Sequence, residues 1–164
     1  MDYKVIGIDP SSRKKCGICR WNPYEQAFID FRSATFWQTV RFIAAHDPEK
    51  TLVVCENPIA NKPVFGWQQI LAKEGPQVLA KRSQDIGMNK AAGLFINQFL
   101  AERGYAHIAK RPGKKPWKGK GKITQPQFEQ LTGCTWKLNQ DERDSGLLVF
   151  GLQPLVVLAH IQNR

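Results

Sequence analysis

Two short apolar runs that each end in a carboxylate constrain this chain more than anything else in it: Val5-Ile6-Gly7-Ile8-Asp9 and Thr51-Leu52-Val53-Val54-Cys55-Glu56. Both are rich in β-branched residues and both stop abruptly, which reads as strand. The second is apolar throughout, as a strand covered on both faces is. Side chains alternate along a strand, so Ile8 and Asp9 cannot share a face, and the acid is presented at the strand's end beside the turn Pro10-Ser11-Ser12. Glu56, followed by Asn57-Pro58, repeats the arrangement. Between the two runs Phe36, Val40, Ile43 and Ala44 recur at helical spacing, and a helical crossover sets the second strand parallel to the first.

The remaining elements fit around that pair. Gly17 to Trp21 reads as a strand, Asn22-Pro23-Tyr24-Glu25 as a turn, and Ala27 to Phe31 as a third strand, so the first three strands form an antiparallel meander. From Ile59 to Arg82 the breakers Pro63, Gly66, Gly75 and Pro76 predict loop, with a short helix from Trp67 to Lys73. Asp85 to Arg103 is the longest helical pattern, with small residues at Ala91, Ala92 and Gly93, apolar ones at Ile86, Leu94, Phe95, Phe99 and Leu100, and Gly104 as its stop. Tyr105 to Ala109 is a fifth strand, and Thr124 to Leu131 a short helix closed by Gly133. The expectation is a single α/β domain over all 164 residues, with a five-stranded mixed sheet, antiparallel meander plus parallel strands, flanked by helices.

Charge bears on partners. The chain carries 24 Lys and Arg against 14 Asp and Glu, a net +10, which points to a polyanion. Much of the excess lies in one stretch: Lys110, Arg111, Lys114, Lys115, Lys118, Lys120 and Lys122, without an acid, broken by prolines and glycines around Trp117. Such a stretch cannot bury enough to order itself, and it is expected to be a mobile loop that neutralises phosphates while Trp117 stacks on an unpaired base. Arg13, Lys14 and Lys15 add to the same surface from the first turn. No apolar run reaches the roughly eighteen residues of a membrane span, and Met1-Asp2-Tyr3-Lys4 leads straight into a strand, so no signal peptide and a cytoplasmic location are expected. Cys16 and Cys19 lie in a strand, where positions i and i+3 face opposite ways and cannot chelate one ion. They and Cys55 and Cys134 are expected as buried thiols.

Near the C-terminal end Asn139-Gln140-Asp141-Glu142-Arg143-Asp144-Ser145-Gly146 opens another helical region. Asn139 with Glu142 makes a capping box, Asp141 falls in the first turn, and Asp144 sits three residues on along the same face, while Glu142 turns away. Gly146 implies close packing against another backbone. Two parallel strands ending in Asp9 and Glu56, with a helix offering Asp141 and Asp144, enclose four acids. These cannot all stay ionised without cations, and an all-oxygen donor set suits Mg²⁺ or Mn²⁺. On a basic protein, two such ions about 4 Å apart imply hydrolysis of a phosphodiester.

With those residues in place the chain resembles the RuvC-type Holliday junction resolvases of the ribonuclease H-like superfamily. Gly7-Ile8-Asp9-Pro10-Ser11-Ser12-Arg13 resembles the family's first catalytic strand and turn, Val53-Val54-Cys55-Glu56 its second acidic strand, and Asp141-x-x-Asp144 its closing helix. The order of elements matches over nearly the whole length. The resemblance implies an endonuclease of DNA recombination and repair, a homodimer through the helix from Asp85 to Arg103, whose two sites nick opposed strands of a four-way junction. It also implies Asp9, Glu56, Asp141 and Asp144 as the ligands of two Mg²⁺ or Mn²⁺ ions per site. Some members carry histidine at the position of Asp141. The chain departs from the family at Ser11, where glycine is common, at Ser145-Gly146, where alanines are usual, and at Ile59, where an aromatic follows the catalytic Glu. Ile59, Phe65 and Trp67 are the candidates for the wedge that opens the junction. The long basic loop and the divergence point to a phage or prophage version. Two alternatives stay open: a nuclease of the same fold on another substrate, such as the YqgF-type factors that process ribosomal RNA precursors, or a basic nucleic-acid-binding module without catalysis. An actin-like or sugar-kinase-like ATP-binding domain shares the first strand motif but needs two domains.

Overall fold

The structure, a computed structural model, describes residues 3–11, 15–57, 75–110 and 121–164. Five strands form one sheet: β1 (Lys4–Asp9), β2 (Cys16–Asn22), β3 (Ala27–Ala34), β4 (Thr51–Glu56) and β5 (Ala106–Lys110), in the order β3-β2-β1-β4-β5. β1, β2 and β3 pair antiparallel, and β4 lies parallel to β1 and to β5. This is the mixed α/β sheet expected from the two acid-terminated runs.

Alternation divides the sheet's side chains between two cores. On one face Val5, Cys19, Trp21, Leu52, Val54 and Ala106 are buried beneath α4 (Gln140–Val149) and α5 (Pro154–Gln162). On the other, Ile6, Ile8, Ile18, Val53 and Cys55 meet Ile43 of α1 (Phe36–Ala44) and Ile96 and Leu100 of α2 (Pro76–Glu102). Cys16 and Cys19 therefore lie on opposite sides, and all four cysteines are free thiols. β3, at the sheet edge, alternates exposed and half-buried residues, as a strand with one solvated face does.

Local sequence explains the helix boundaries. Thr35 caps α1 and Thr124 caps α3 (Gln125–Thr132), each with a glutamine three residues on that completes a capping box. The indole N–H of Trp21 donates to the carbonyl of Leu152 at 3.1 Å, fastening the turn between α4 and α5. Tyr105 Oη donates to the carbonyls of Ile43 and His46, 2.9 and 2.7 Å away, and ties the end of α1 to the start of β5 on the same face.

Three boundaries differ from the sequence reading. α2 begins at Pro76, within the span expected as loop, because Gly75-Pro76 starts a helix here: proline at the first turn lacks only an N–H that has no helical partner anyway. β3 runs on to Ala34. The last helical region is two helices, broken at Gly151 and restarted by Pro154, and they meet at 81°. The short helix expected from Trp67 to Lys73 lies outside the described residues. Among the described residues no single helix is long and apolar enough to cross a membrane.

Candidate active site

Parallel pairing of β1 with β4 in the register Ile8↔Cys55 brings the next residues, Asp9 and Glu56, side by side at the C-terminal ends of both strands. Period-two alternation puts them on the face of Val5 and Gly7 and of Leu52 and Val54, the side covered by α4. Burial, then the charge and hydrogen bond of Glu56, then the charge of Asp144 push the Asp9 carboxyl up to about 8. Lys122 works in the opposite direction. After Asp9 the chain is pinned by Cys16, whose Sγ lies 3.4 Å from the Ser11 N–H and 3.2 Å from its carbonyl.

α4 lies unusually near the sheet. An added Cβ on Gly7 would stand 2.4 Å from the carbonyl oxygen of Ser145, and one on Gly17 only 1.9 Å from that of Asp141. These two glycines set the height of the helix above β1 and β2. Gly146 meets the rings of Phe31 and Phe128 and not a backbone, which corrects the sequence reading: the close backbone approach lies on the strands' glycines. Glycine inside a strand is the signal that marks such an approach.

At its N-terminus α4 is capped by Asn139, with Glu142 closing the box. Glu142 also accepts from Ser33 Oγ at 2.9 Å, so it faces β3. Asp144 is the helix acid that reaches the strand pair electrostatically. Its Oδ2 accepts from Lys122 Nζ at 2.6 Å and its Oδ1 from Gln140 Nε2 at 2.7 Å. Burial alone would lower the pKa of Lys122, but Asp144 and the charges of Asp9 and Asp141 outweigh it and raise it. Asp141 thus joins the group through Lys122.

Lys110 also belongs to this face. It is paired with Glu56 across β4 and β5, and its Nζ donates to the carbonyl of Leu148 in α4 at 3.1 Å, with burial lowering its pKa. Lys15 is exposed at the entry to β2. The other residues expected to contact nucleic acid, Arg13, Lys14, Arg111, Lys114, Lys115, Trp117, Lys118 and Lys120, lie outside the described residues, as do the wedge candidates Ile59, Phe65 and Trp67. What sequence reasoning missed is the direct Lys122–Asp144 pair, since no local pattern links residues 22 positions apart.

Among the described residues no group of three or more His, Cys, Asp or Glu side chains is gathered as a metal site. Both oxygens of Asp144 are engaged by Lys122 and Gln140. In kind, however, the donors fit a hard divalent cation: the acids supply only oxygen, and a carboxyl held neutral to about pH 8 by burial and its acidic neighbours is one that an added cation would ionise. Comparison with protein-family models, with curated proteins and with solved structures finds no match for this chain.

Proposed function

We propose that the chain is a divalent-metal-dependent endonuclease of the ribonuclease H-like fold that resolves four-way or otherwise branched DNA by paired phosphodiester nicks. The observation that carries this reading is the placement of Asp9 and Glu56 side by side at the ends of neighbouring parallel strands, with the charge of Asp144 on α4 within electrostatic reach. When bound, Mg²⁺ or Mn²⁺ supplies the neutralising charge and Lewis acidity for in-line attack of water on a phosphodiester. Asp9, Glu56 and Asp144, with Asp141 beside them, hold the cation-binding face. Lys110 braces that face by fixing the last turn of α4, and Lys122 and Lys15 offer ammonium groups to the DNA backbone. The two ends of the sheet thus take different work, with chemistry at the C-terminal ends of β1, β4 and β5.

A dimer is part of the proposal. Val78, Ile86, Met88, Leu94 and Phe95 are exposed along α2, and Phe95 lines an apolar groove of about 640 Å³ with Phe36 and Trp37 of α1. This supports pairing through α2, which would set two sites on opposed strands.

One observation favours a second reading, a basic nucleic-acid-binding module: the ammonium of Lys122 already neutralises Asp144. Cleavage of a synthetic four-way junction against a linear duplex, with Mg²⁺ or EDTA, separates the two. The enzyme nicks the junction symmetrically only with metal and loses this with Asp9→Asn while still binding. The module binds and never cuts, and cleavage of RNA or flaps would keep the metal site and replace the substrate.

A further inference from the structure

We propose that Lys122 is a built-in competitor of the metal ion: its ammonium occupies Asp144 in the free protein and weakens the carboxylate's hold on a divalent cation until it transfers to a phosphate of the nucleic acid. The inference rests on the metal-dependent reading above and adds an order of events to it.

Two hydrogen bonds of 2.6 and 2.7 Å leave neither oxygen of Asp144 without a donor. A divalent cation and an ammonium drawn to the same carboxylate repel one another at this range, so each weakens the other's hold on it. The lysine is nevertheless placed to let go. Its side chain is 61 % exposed while that of Asp144 is 22 % exposed, and an ion pair open to water on one side exchanges readily for another. The backbone beside it is fixed, because Ile123 is fully buried and its carbonyl accepts from Arg143 Nε at 3.3 Å. Lys122 therefore changes partner by rotating its four-carbon stem while Ile123 stays anchored. A compact ammonium on a flexible stem is a ready phosphate binder.

Mn²⁺ binding to the free protein, followed by the electron paramagnetic resonance of the unbound ion, tests the competition. Lys122→Met is expected to bind Mn²⁺ about tenfold more tightly than wild type, within the usual range of coupling between two ligands. Lys137→Met removes the same charge from an exposed position that holds no part of the site, and it is expected to change the affinity much less. Equal affinity of wild type and Lys122→Met, weaker binding by the variant, or an equal gain in Lys137→Met would overturn the competition. Transfer to phosphate is read from the salt dependence of junction binding with Ca²⁺ present. The slope is expected to fall by about one phosphate contact in Lys122→Met, and an unchanged slope would overturn the transfer. If Asp9→Asn leaves Mn²⁺ binding unaltered, the ion is not at this site, and the metal-dependent reading fails together with the competition.

Discussion

Asp9 keeps its proton to about pH 8 because burial and the acids around it oppose its charge, whereas in an unfolded chain the same group ionises near 3.8. Between those values the folded state binds a proton that the unfolded state has lost, so folding stability falls as pH rises through that window. Asp9→Asn removes the penalty. In metal-free buffer its melting temperature should therefore exceed that of wild type at pH 8.5, with the gap closing towards pH 4, and a gap independent of pH would contradict the account. Gly17 carries a second prediction. Its missing side chain leaves room for the Asp141 carbonyl, so Gly17→Ala should cost at least about 2 kcal/mol in denaturant titration, at the upper end for forced overpacking. Gly87, which has nothing within 4 Å and lies inside α2, should respond the opposite way, with Gly87→Ala gaining up to about 1 kcal/mol. At this scale the strand acids were legible because alternation and an abrupt strand end are local. The hold of Lys122 on Asp144 was not, because it depends on how two distant segments pack.

Among the elements, those with chemical punctuation were legible in outline. The N-cap at Asn139 and the stops at Gly104 and Gly133 stand where the sequence puts them. α2 was misjudged at its start because Gly75-Pro76 signals both a break and a beginning, and only the residues that follow decide between them. Its apolar residues also serve two purposes. Ile96 and Leu100 are buried against the sheet, whereas Ile86, Leu94 and Phe95 are exposed, and periodicity alone does not say which stripe meets the protein's own core. If the exposed stripe pairs two copies, light scattering after size exclusion should give a dimeric mass for wild type and a monomeric one for Phe95→Glu, with the fold retained by circular dichroism. A wild type that is monomeric at micromolar concentration would remove α2 as the dimer element.

Over the whole molecule, the proposed function turns on bringing Asp9, Glu56 and Asp144 and a net charge of +10 into the same chain. The sheet gathers Asp9, Glu56 and Lys110 at one end, and Gly7 and Gly17 let α4 descend far enough for Asp144 to face them. The mixed sheet and its flanking layers follow from hydrophobic patterning, which is why the architecture was readable before any site was. Net charge does not encode which polyanion a basic surface would meet, because that choice depends on geometry at the scale of two strands of nucleic acid. The decisive measurement is cleavage of a synthetic four-way junction and of a linear duplex of the same sequence by wild type and Asp9→Asn, with Mg²⁺ or EDTA. The account predicts symmetric, metal-dependent nicks on the junction alone, lost in Asp9→Asn while junction binding persists. Tight binding with no cleavage under Mg²⁺ or Mn²⁺, or equal cleavage by Asp9→Asn, would contradict it.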